Sequence, residues 1–214
     1  MLSTQLDHLV IAANSLEQGQ SYLYDVYGLE PSPGGQHLAM GTHNSVLKLD
    51  NDSYLEIIAL DPNGQKPTMP RWFNLDSEEL QKQIKDKPKL ITWVARTNNF
   101  SELKKQAISD IGTARAMRRG NLSWQFGFSD DGSLFAGGVL PYIIQWDSIQ
   151  HVSRAMPEKN YSLSKLELLH PEANKIKNAL KSLNFHSNLV EISKNDDISL
   201  IAHIETANGL VKIS

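Results

Sequence analysis

The feature of this sequence that most constrains its fold is an order of predicted elements, one strand, one helix and three strands, that occurs three times along 214 residues. The first copy opens with an apolar, β-branched strand at 6–13, and a helix then runs to about Tyr27, where Gly28 ends it. Three short strands follow, at 37–40, 45–49 and 54–60. Because a sheet with one apolar face cannot bury that face alone, neighbouring copies must pair their sheets.

The same order returns twice. The second copy begins with a strand at 89–97 and a helix around Phe100 and Leu103, and its three strands are predicted at 114–118, 122–128 and 135–146. The third copy has a strand from Leu163, a helix from about Pro171 to Leu183, and strands near Val190, Ile201 and Val211. Three copies leave one sheet without an internal partner, so we expect a homodimer that forms through it.

These copies divide the chain into four segments. We assign 1–62 to a first βαβββ module, 63–87 to a linker with a short helix around 77–85, 88–147 to a second module, and 148–214 to a further linker and a third βαβββ-like unit. The predicted fold class is therefore α+β, built from repeated βαβββ units.

Composition excludes several classes of function. The sequence has no cysteine, so any metal must be held by His, Asp or Glu. Its formal net charge is −3 with scattered Lys and Arg, so we expect no nucleic-acid partner. The first apolar run contains Asp7 and His8 and follows no basic leader, and no stretch reaches the roughly 18 apolar residues of a membrane helix. We therefore expect a soluble, cytoplasmic protein with no membrane partner.

A family resemblance is carried by three segments of the first copy, LDHLVIAANSLEQGQSYLYDVYGLEP, GGQHLAMGTHNSVLKL and YLEIIALDP. They resemble the first module of glyoxalase-like proteins of the vicinal oxygen chelate superfamily: a His in the first strand, a Gly-Leu after the helix, a GGxH turn, a GTxN turn and a Tyr-Leu-Glu in the last strand. The later segments LPYIIQW and LSKLELLHPEA look like the rest of the same family. The resemblance implies curved, half-open barrel sheets around a cleft that binds a divalent metal and a small oxygenated molecule.

In that family the metal ligands come from the first and last strands of each module, which implies His8 and Glu56 in the first. The matching positions of the second module are Thr92 and Tyr142, and neither is a usual ligand for such a metal. Half of the expected ligand set is therefore missing. Two more histidines, His37 and His43, are candidates to complete it, or are exposed loop residues.

Both principal candidates have an alternative interpretation. A buried carboxylate is costly unless it is paired or ligated, so Glu56 is either a metal ligand, a general base at a carbon beside a carbonyl, or an exposed residue of an edge strand. His8 lies either in the cleft or in the core as a hydrogen-bonded histidine.

Six other residues are candidate substrate contacts: Asn44, Arg118, Arg119, Trp124, Gln145 and Trp146. A guanidinium beside a cleft binds carboxylate or phosphate, although the two arginines also suit a charged hairpin turn. Asn44 is alternatively a turn cap, and tryptophans in strands are often core residues.

Two functions stay open. The first is a metal-dependent lyase, isomerase or dioxygenase that uses His8 and Glu56 on a small oxygenated or thiol-conjugated molecule. The second is a metal-free protein that binds or sequesters a small molecule, as in the antibiotic-resistance branch that the superfamily resemblance also implies. The sequence has no phosphate-binding loop, GxSxG elbow or HExxH motif, so nucleotide binding, serine hydrolysis and zincin chemistry have no support.

Overall fold

The computed structural model describes all 214 residues, which form two β-sheets and four α-helices. The strands are β1 (Thr4–Ala12), β2 (Ser32–His37), β3 (Thr42–Lys48), β4 (Tyr54–Leu60), β5 (Lys89–Thr97), β6 (Thr113–Arg119), β7 (Leu122–Phe128), β8 (Tyr142–Trp146), β9 (Ser162–His170), β10 (Val190–Lys194), β11 (Ser199–Thr206) and β12 (Gly209–Ile213). The helices are α1 (Leu16–Tyr27), α2 (Glu78–Ile84), α3 (Phe100–Gln106) and α4 (Ala173–Ser182). Short 3₁₀ helices lie at Trp72–Asn74, Phe135–Gly138 and Val152–Ala155.

The larger sheet consists of two modules joined at its centre. Its strand order is β2-β3-β4-β1-β5-β8-β7-β6, in which β1 pairs in parallel with β4, β5 in parallel with β8, and β1 antiparallel with β5. The sheet curls until its two edge strands, β2 and β6, contact each other. This arrangement confirms the predicted α+β fold with βαβββ modules in a half-open barrel.

Local capping explains where the module helices begin and end. The side chain of Ser15 accepts a hydrogen bond from the Gln18 amide at the start of α1, and Gly28 ends that helix in the left-handed conformation. Asn99 caps α3 in the same way as Ser15 caps α1. None of the four helices is long and apolar enough to cross a lipid bilayer.

Two strand predictions were wrong in their boundaries. The second strand of the first module spans 32–37 rather than 37–40. It includes the Gly34-Gly35 pair, which was predicted as a turn, and its pairing with β3 shifts register between Pro33 and Gln36, where Gly34 lies directly against β3. A Cβ atom at Gly34 would collide with the side chain of Asn44, so this close approach requires glycine. The segment 135–146 is not one strand, since Phe135–Gly138 is a 3₁₀ helix and β8 begins only at residue 142.

The third unit repeats the order of elements but not their pairing. Its first strand, β9, pairs in parallel with β10 and antiparallel with β11, which gives the order β10-β9-β11-β12. Its apolar residues belong to one core of 49 buried residues that spans both sheets, where Phe185 packs edge-on against Trp93 of β5. Because the apolar face of this sheet is covered by other parts of the same chain, the physical reason given for a homodimer does not hold.

The linker between the modules enters the core. It contains α2, which was predicted, and also Trp72 and Phe73, which are 3% and 2% exposed. The backbone of Phe73 and Asn74 is left-handed, with φ of 59° and 57°. Two consecutive residues other than glycine in that region are unusual and costly.

Candidate functional site

A small cavity of about 30 Å³ lies between the two halves of the larger sheet, and we call it the His8–Glu56 cavity. The first module contributes polar and aromatic side chains: His8, His37, Asn44, Tyr54 and Glu56. The second module and the linker contribute Arg119 and six apolar or aromatic side chains: Trp72, Phe73, Trp124, Phe126, Ile144 and Trp146. Larger grooves of about 470 Å³ lie elsewhere, but the buried side chains of His8, His37 and Glu56 meet at the smaller cavity.

His8 is positioned by a bulge in the central strand β1. The pairing of β1 with β5 shifts register between Leu6 and His8, so Asp7 is an extra residue on that strand. Bulges redirect side chains and are common beside functional sites. Here the bulge allows two successive residues to meet, with 2.6 Å between Asp7 Oδ1 and His8 Nδ1.

Asp7 is fully buried and binds three side chains. Its Oδ2 accepts hydrogen bonds from Trp146 Nε1, at 2.9 Å, and from His151 Nε2, at 3.0 Å. Burial by itself raises the pKa of Asp7, but the hydrogen bonds from His151 and His8 outweigh it and hold the pKa well below its usual range. Because Asp7 is ionised, His8 Nδ1 carries the proton of their hydrogen bond, and His8 Nε2 is left to face the cavity.

Glu56 meets that nitrogen from the neighbouring strand. Its Oε2 lies 3.6 Å from His8 Nε2, which is too long for a hydrogen bond, and its Oε1 accepts a hydrogen bond of 2.5 Å from Asn44 Nδ2. Glu56 is only 4% exposed. Its Oε2 is therefore a buried carboxylate oxygen that makes no hydrogen bond within the protein.

Asn44 connects Glu56 to a cation. Its Oδ1 accepts hydrogen bonds from the Gly35 amide, at 2.8 Å, and from Arg119 Nη1, at 3.1 Å, which fixes the orientation of the amide. The side chain of Arg119 reaches this position from the edge strand β6, across the line where β2 and β6 meet. One guanidinium of the second module thus lies against the polar residues of the first.

His37 is neutral in this environment. Burial lowers the pKa of His37 to about 4, and the charge of Arg119 contributes in the same direction while Glu56 opposes it. Since a guanidinium only donates, His37 Nε2 accepts from Arg119 Nη1 at 3.3 Å, and Nδ1 donates to Thr42 Oγ1 at 3.2 Å.

Aromatic rings form the walls of the cavity. Tyr54 stacks on His8 with 4.5 Å between ring centroids, and burial raises the pKa of its hydroxyl well above the usual range. The ring centroids of Trp124 and Trp146 lie 5.2 Å apart on the side of the cavity that the second module forms. The two tryptophans therefore both line the cavity and take part in the core.

Three predicted site residues lie outside the cavity. His43 and Arg118 each precede a cavity residue on the same strand, so strand alternation places their side chains on the opposite face. Gln145 is also outside, and its Oε1 accepts a hydrogen bond from the Phe100 amide at the start of α3.

Several residues of the site were not predicted. Five of them line the cavity, Tyr54, Trp72, Phe73, Phe126 and Ile144, and two lie behind His8, Asp7 and His151. A carboxylate inside an apolar strand was a usable signal for Asp7, because a buried charge needs partners. Strict alternation, however, places Asp7 opposite to His8, and only the bulge brings them together. Nothing in the spacing of His151, in the segment after the second module, indicates that it reaches β1.

The donor set does not fit a divalent metal. Only His8 Nε2 and Glu56 Oε2 converge with unused lone pairs, while His37 Nε2 accepts from Arg119. No three His, Cys, Asp or Glu side chains are arranged to hold a metal ion. The guanidinium also places a permanent positive charge where a second one would be repelled.

The second module supplies no replacement ligands. The hydroxyl groups of Thr92 and Tyr142 donate to the carbonyl oxygens of Gly138 and Ser133, at 3.0 and 2.9 Å. Both side chains are used within the fold, so the two missing ligands of the family pattern are structural residues here.

The chain is similar to known proteins both in sequence and in fold. A model of the glyoxalase-like domain matches residues 6–184. A crystal structure of a hypothetical protein from Staphylococcus aureus is similar over 99% of this chain and 99% of that chain, with a TM-score of 0.66 and 13% identity. Two methylmalonyl-CoA epimerases are also similar. One, from Streptomyces coelicolor in complex with 2-nitronate-propionyl-CoA, has 16% identity and a TM-score of 0.42 over 68% of this chain and 96% of that chain.

The other epimerase, from Mycobacterium tuberculosis, has 18% identity and a TM-score of 0.40 over 66% of this chain and 85% of that chain. No curated protein matches the sequence. The Staphylococcus aureus structure supports the fold, and the domain model covers most of the chain. The protein belongs to the glyoxalase-like domain family, within the vicinal oxygen chelate superfamily.

Proposed function

We propose that this protein binds a small oxygenated anion in the His8–Glu56 cavity and that Glu56 moves a proton on it, without a metal ion. The observation that carries the proposal is that Glu56 Oε2 makes no hydrogen bond within the protein and lies 3.6 Å from His8 Nε2, in a buried cavity that Arg119 also lines. This is an isomerase or lyase function without the metal ion that the sequence analysis expected for such an enzyme.

Arg119 supplies the affinity for an anion. It bonds to protein side chains through Nη1 alone, which leaves the rest of its donor fork for a ligand carboxylate. The side chain is half-buried and lies at the junction of the two edge strands. Because a cavity of about 30 Å³ holds little more than water, the proposal requires the lining to open when a ligand binds.

Glu56 is the proposed base. With Oε1 held by Asn44, Oε2 takes a proton from a carbon beside the ligand carbonyl, and the electron pair of that C–H bond moves to the carbonyl oxygen. The resulting negative charge is stabilised by the nearby guanidinium. Return of the proton to another position completes an isomerisation, and loss of a leaving group completes an elimination.

His8 faces the proposed base, which Asn44 holds in place. Asp7 fixes the imidazole through Nδ1, so Nε2 faces Glu56 whichever protonation state His8 adopts. When protonated, His8 donates to the ligand or to the carboxylate; when neutral, it accepts the proton that Glu56 has taken. We therefore assign Asp7 and Asn44 as positioning residues.

Sequestration without chemistry is the second candidate function. It is favoured by the aromatic walls, because Tyr54, Trp124 and Trp146 bind a flat ligand by stacking alone. The two functions differ in one measurable property, the exchange of a ligand C–H proton with solvent.

The test uses pyruvate, the simplest carboxylate with a carbonyl beside a C–H bond, and then larger 2-oxo acids. Proton NMR in D₂O follows exchange of the methyl protons with wild type, Glu56→Gln and the control Glu205→Gln, an exposed carboxylate on β11. We expect enzyme-dependent exchange that Glu56→Gln lowers by about 10²–10⁴-fold and the control leaves unchanged. Equal exchange by wild type and Glu56→Gln contradicts the proposed base, and binding without exchange supports sequestration.

Other features stay predictions: the four-segment division of the chain, a cytoplasmic location and a homodimer. Light scattering tests the last, because a mass of twice 23.9 kDa supports the dimer and a mass of 23.9 kDa contradicts it.

A further inference from the structure

The linker residue Trp72 has a buried donor without an acceptor. Its side chain lines the His8–Glu56 cavity and is 3% exposed, but no acceptor lies within hydrogen-bonding distance of Nε1. A buried N–H group that bonds to nothing destabilises a fold, and nearly all such groups are paired. The unpaired group therefore needs an explanation.

Two other tryptophans of the chain follow the usual rule. Trp93 Nε1 donates to the Val139 carbonyl at 2.9 Å, and Trp146 Nε1 donates to Asp7 Oδ2 at 2.9 Å. Trp124, also at the cavity, has no acceptor within the protein either, but its Nε1 is not fully buried, so Trp72 Nε1 alone among the four indole nitrogens is both buried and unpaired.

The position of Trp72 is held by strained backbone. The residues that follow it, Phe73 and Asn74, both have left-handed backbone angles, and such strain persists only where surrounding contacts fix it. The Asn74 amide donates to the Gly132 carbonyl at 2.8 Å, and the Phe73 ring lies 4.8 Å from Tyr142. The linker is therefore anchored to the second module with Trp72 directed against the first.

Trp72 and Arg119 approach the same neighbour. The Trp72 ring lies edge-on to His37 with 5.2 Å between centroids, and Arg119 Nη1 lies 3.3 Å from His37 Nε2. A neutral donor and a charged donor thus flank one histidine at the cavity wall. Neither has a lone pair for a cation or an amine, so this pair selects ligands that carry acceptor oxygens.

We propose that Trp72 is a ligand-binding residue whose indole N–H donates to a carboxylate oxygen of the ligand that Arg119 also binds. This inference rests on the proposed function and names its ligand class, small carboxylates. It assigns part of the specificity to the linker between the modules, outside both βαβββ units. The ligand completes the hydrogen bond that the protein leaves open.

The test follows the indole N–H signals of the ¹⁵N-labelled full-length chain, which contains four tryptophans, during titration with pyruvate. Trp72→Phe assigns the signal, and if that variant does not fold, contacts of the indole proton with the His37 ring assign it in the wild type. We expect a saturable downfield shift of the Trp72 N–H signal and about tenfold weaker pyruvate binding by Trp72→Phe. Trp93→Phe, which removes an indole already bonded within the protein, is the matched control, and we expect it to bind pyruvate as the wild type does.

The possible failures are distinguishable. If the Arg119 side-chain signal responds to pyruvate while the Trp72 signal does not, the inference is overturned and the proposed function stands. If neither signal responds to pyruvate or to larger 2-oxo acids, both are overturned for this ligand class.

Discussion

The neutral state of His37 predicts a specific loss of stability in acid. Burial lowers the pKa of His37 from 6.5 to about 4 in the folded protein. Between these values the unfolded chain binds a proton at this residue and the folded chain does not, so acid favours unfolding. The full shift corresponds to about 3 kcal/mol, of which about 2 kcal/mol is expressed at about pH 5 and almost none at about pH 7.5.

Urea unfolding at these two pH values measures the effect. Because the chain contains seven histidines, the comparison that isolates His37 is with His37→Gln, whose amide oxygen still accepts from Arg119 but carries no titrating group. We expect the wild type to lose about 2 kcal/mol more than this variant between about pH 7.5 and pH 5. His186→Gln, at an exposed histidine, serves as the control and loses as much as the wild type.

The reasoning is refuted if wild type and His37→Gln lose the same free energy of unfolding between the two pH values. That result means that His37 is protonated in the folded protein, and the hydrogen bond from Arg119 to its Nε2 does not form.

Two further substitutions test the construction of the site. Asp7→Asn keeps the shape of a fully buried side chain but removes the charge to which His8, Trp146 and His151 donate. We expect the free energy of unfolding in urea to fall by about 3–5 kcal/mol. A variant as stable as the wild type would contradict these three hydrogen bonds. Gly34→Ala places a methyl group against Asn44, so we expect the free energy of unfolding to fall by about 1–3 kcal/mol and pyruvate to bind more weakly. An unchanged Tm and an unchanged affinity would contradict the close packing of β2 on β3.

Much of the fold was predictable because the two modules follow local rules. Periodicity and punctuating residues such as Gly28 predicted the helices and most strands. The family resemblance implied that His8 and Glu56 lie close together, and in the structure His8 Nε2 is 3.6 Å from Glu56 Oε2. Their function stays a prediction, since proximity alone does not establish it.

The remaining features depend on exceptions to those rules. A bulge in β1 changes which side chains share a face of the strand, and no local sequence pattern indicates that Asp7 is the extra residue. The linker sequence is polar and rich in turn-forming residues, yet long-range packing holds Trp72 and Phe73 in the core. The backbone of Phe73 takes unfavourable, left-handed angles there. The third unit has the expected order of elements, but only tertiary contacts determine that β9 lies between β10 and β11.

Chelator-treated protein offers the most direct test of metal-free chemistry in the His8–Glu56 cavity. Metal content per chain and the rate of pyruvate proton exchange are measured on the same sample, before and after addition of Ni, Zn, Mn or Fe(II). We expect unchanged exchange in protein with substoichiometric metal, and no gain in exchange or in Tm when metal is added. Exchange that disappears with the chelator and returns with one equivalent of metal, bound by wild type but not by Glu56→Gln, would contradict this account.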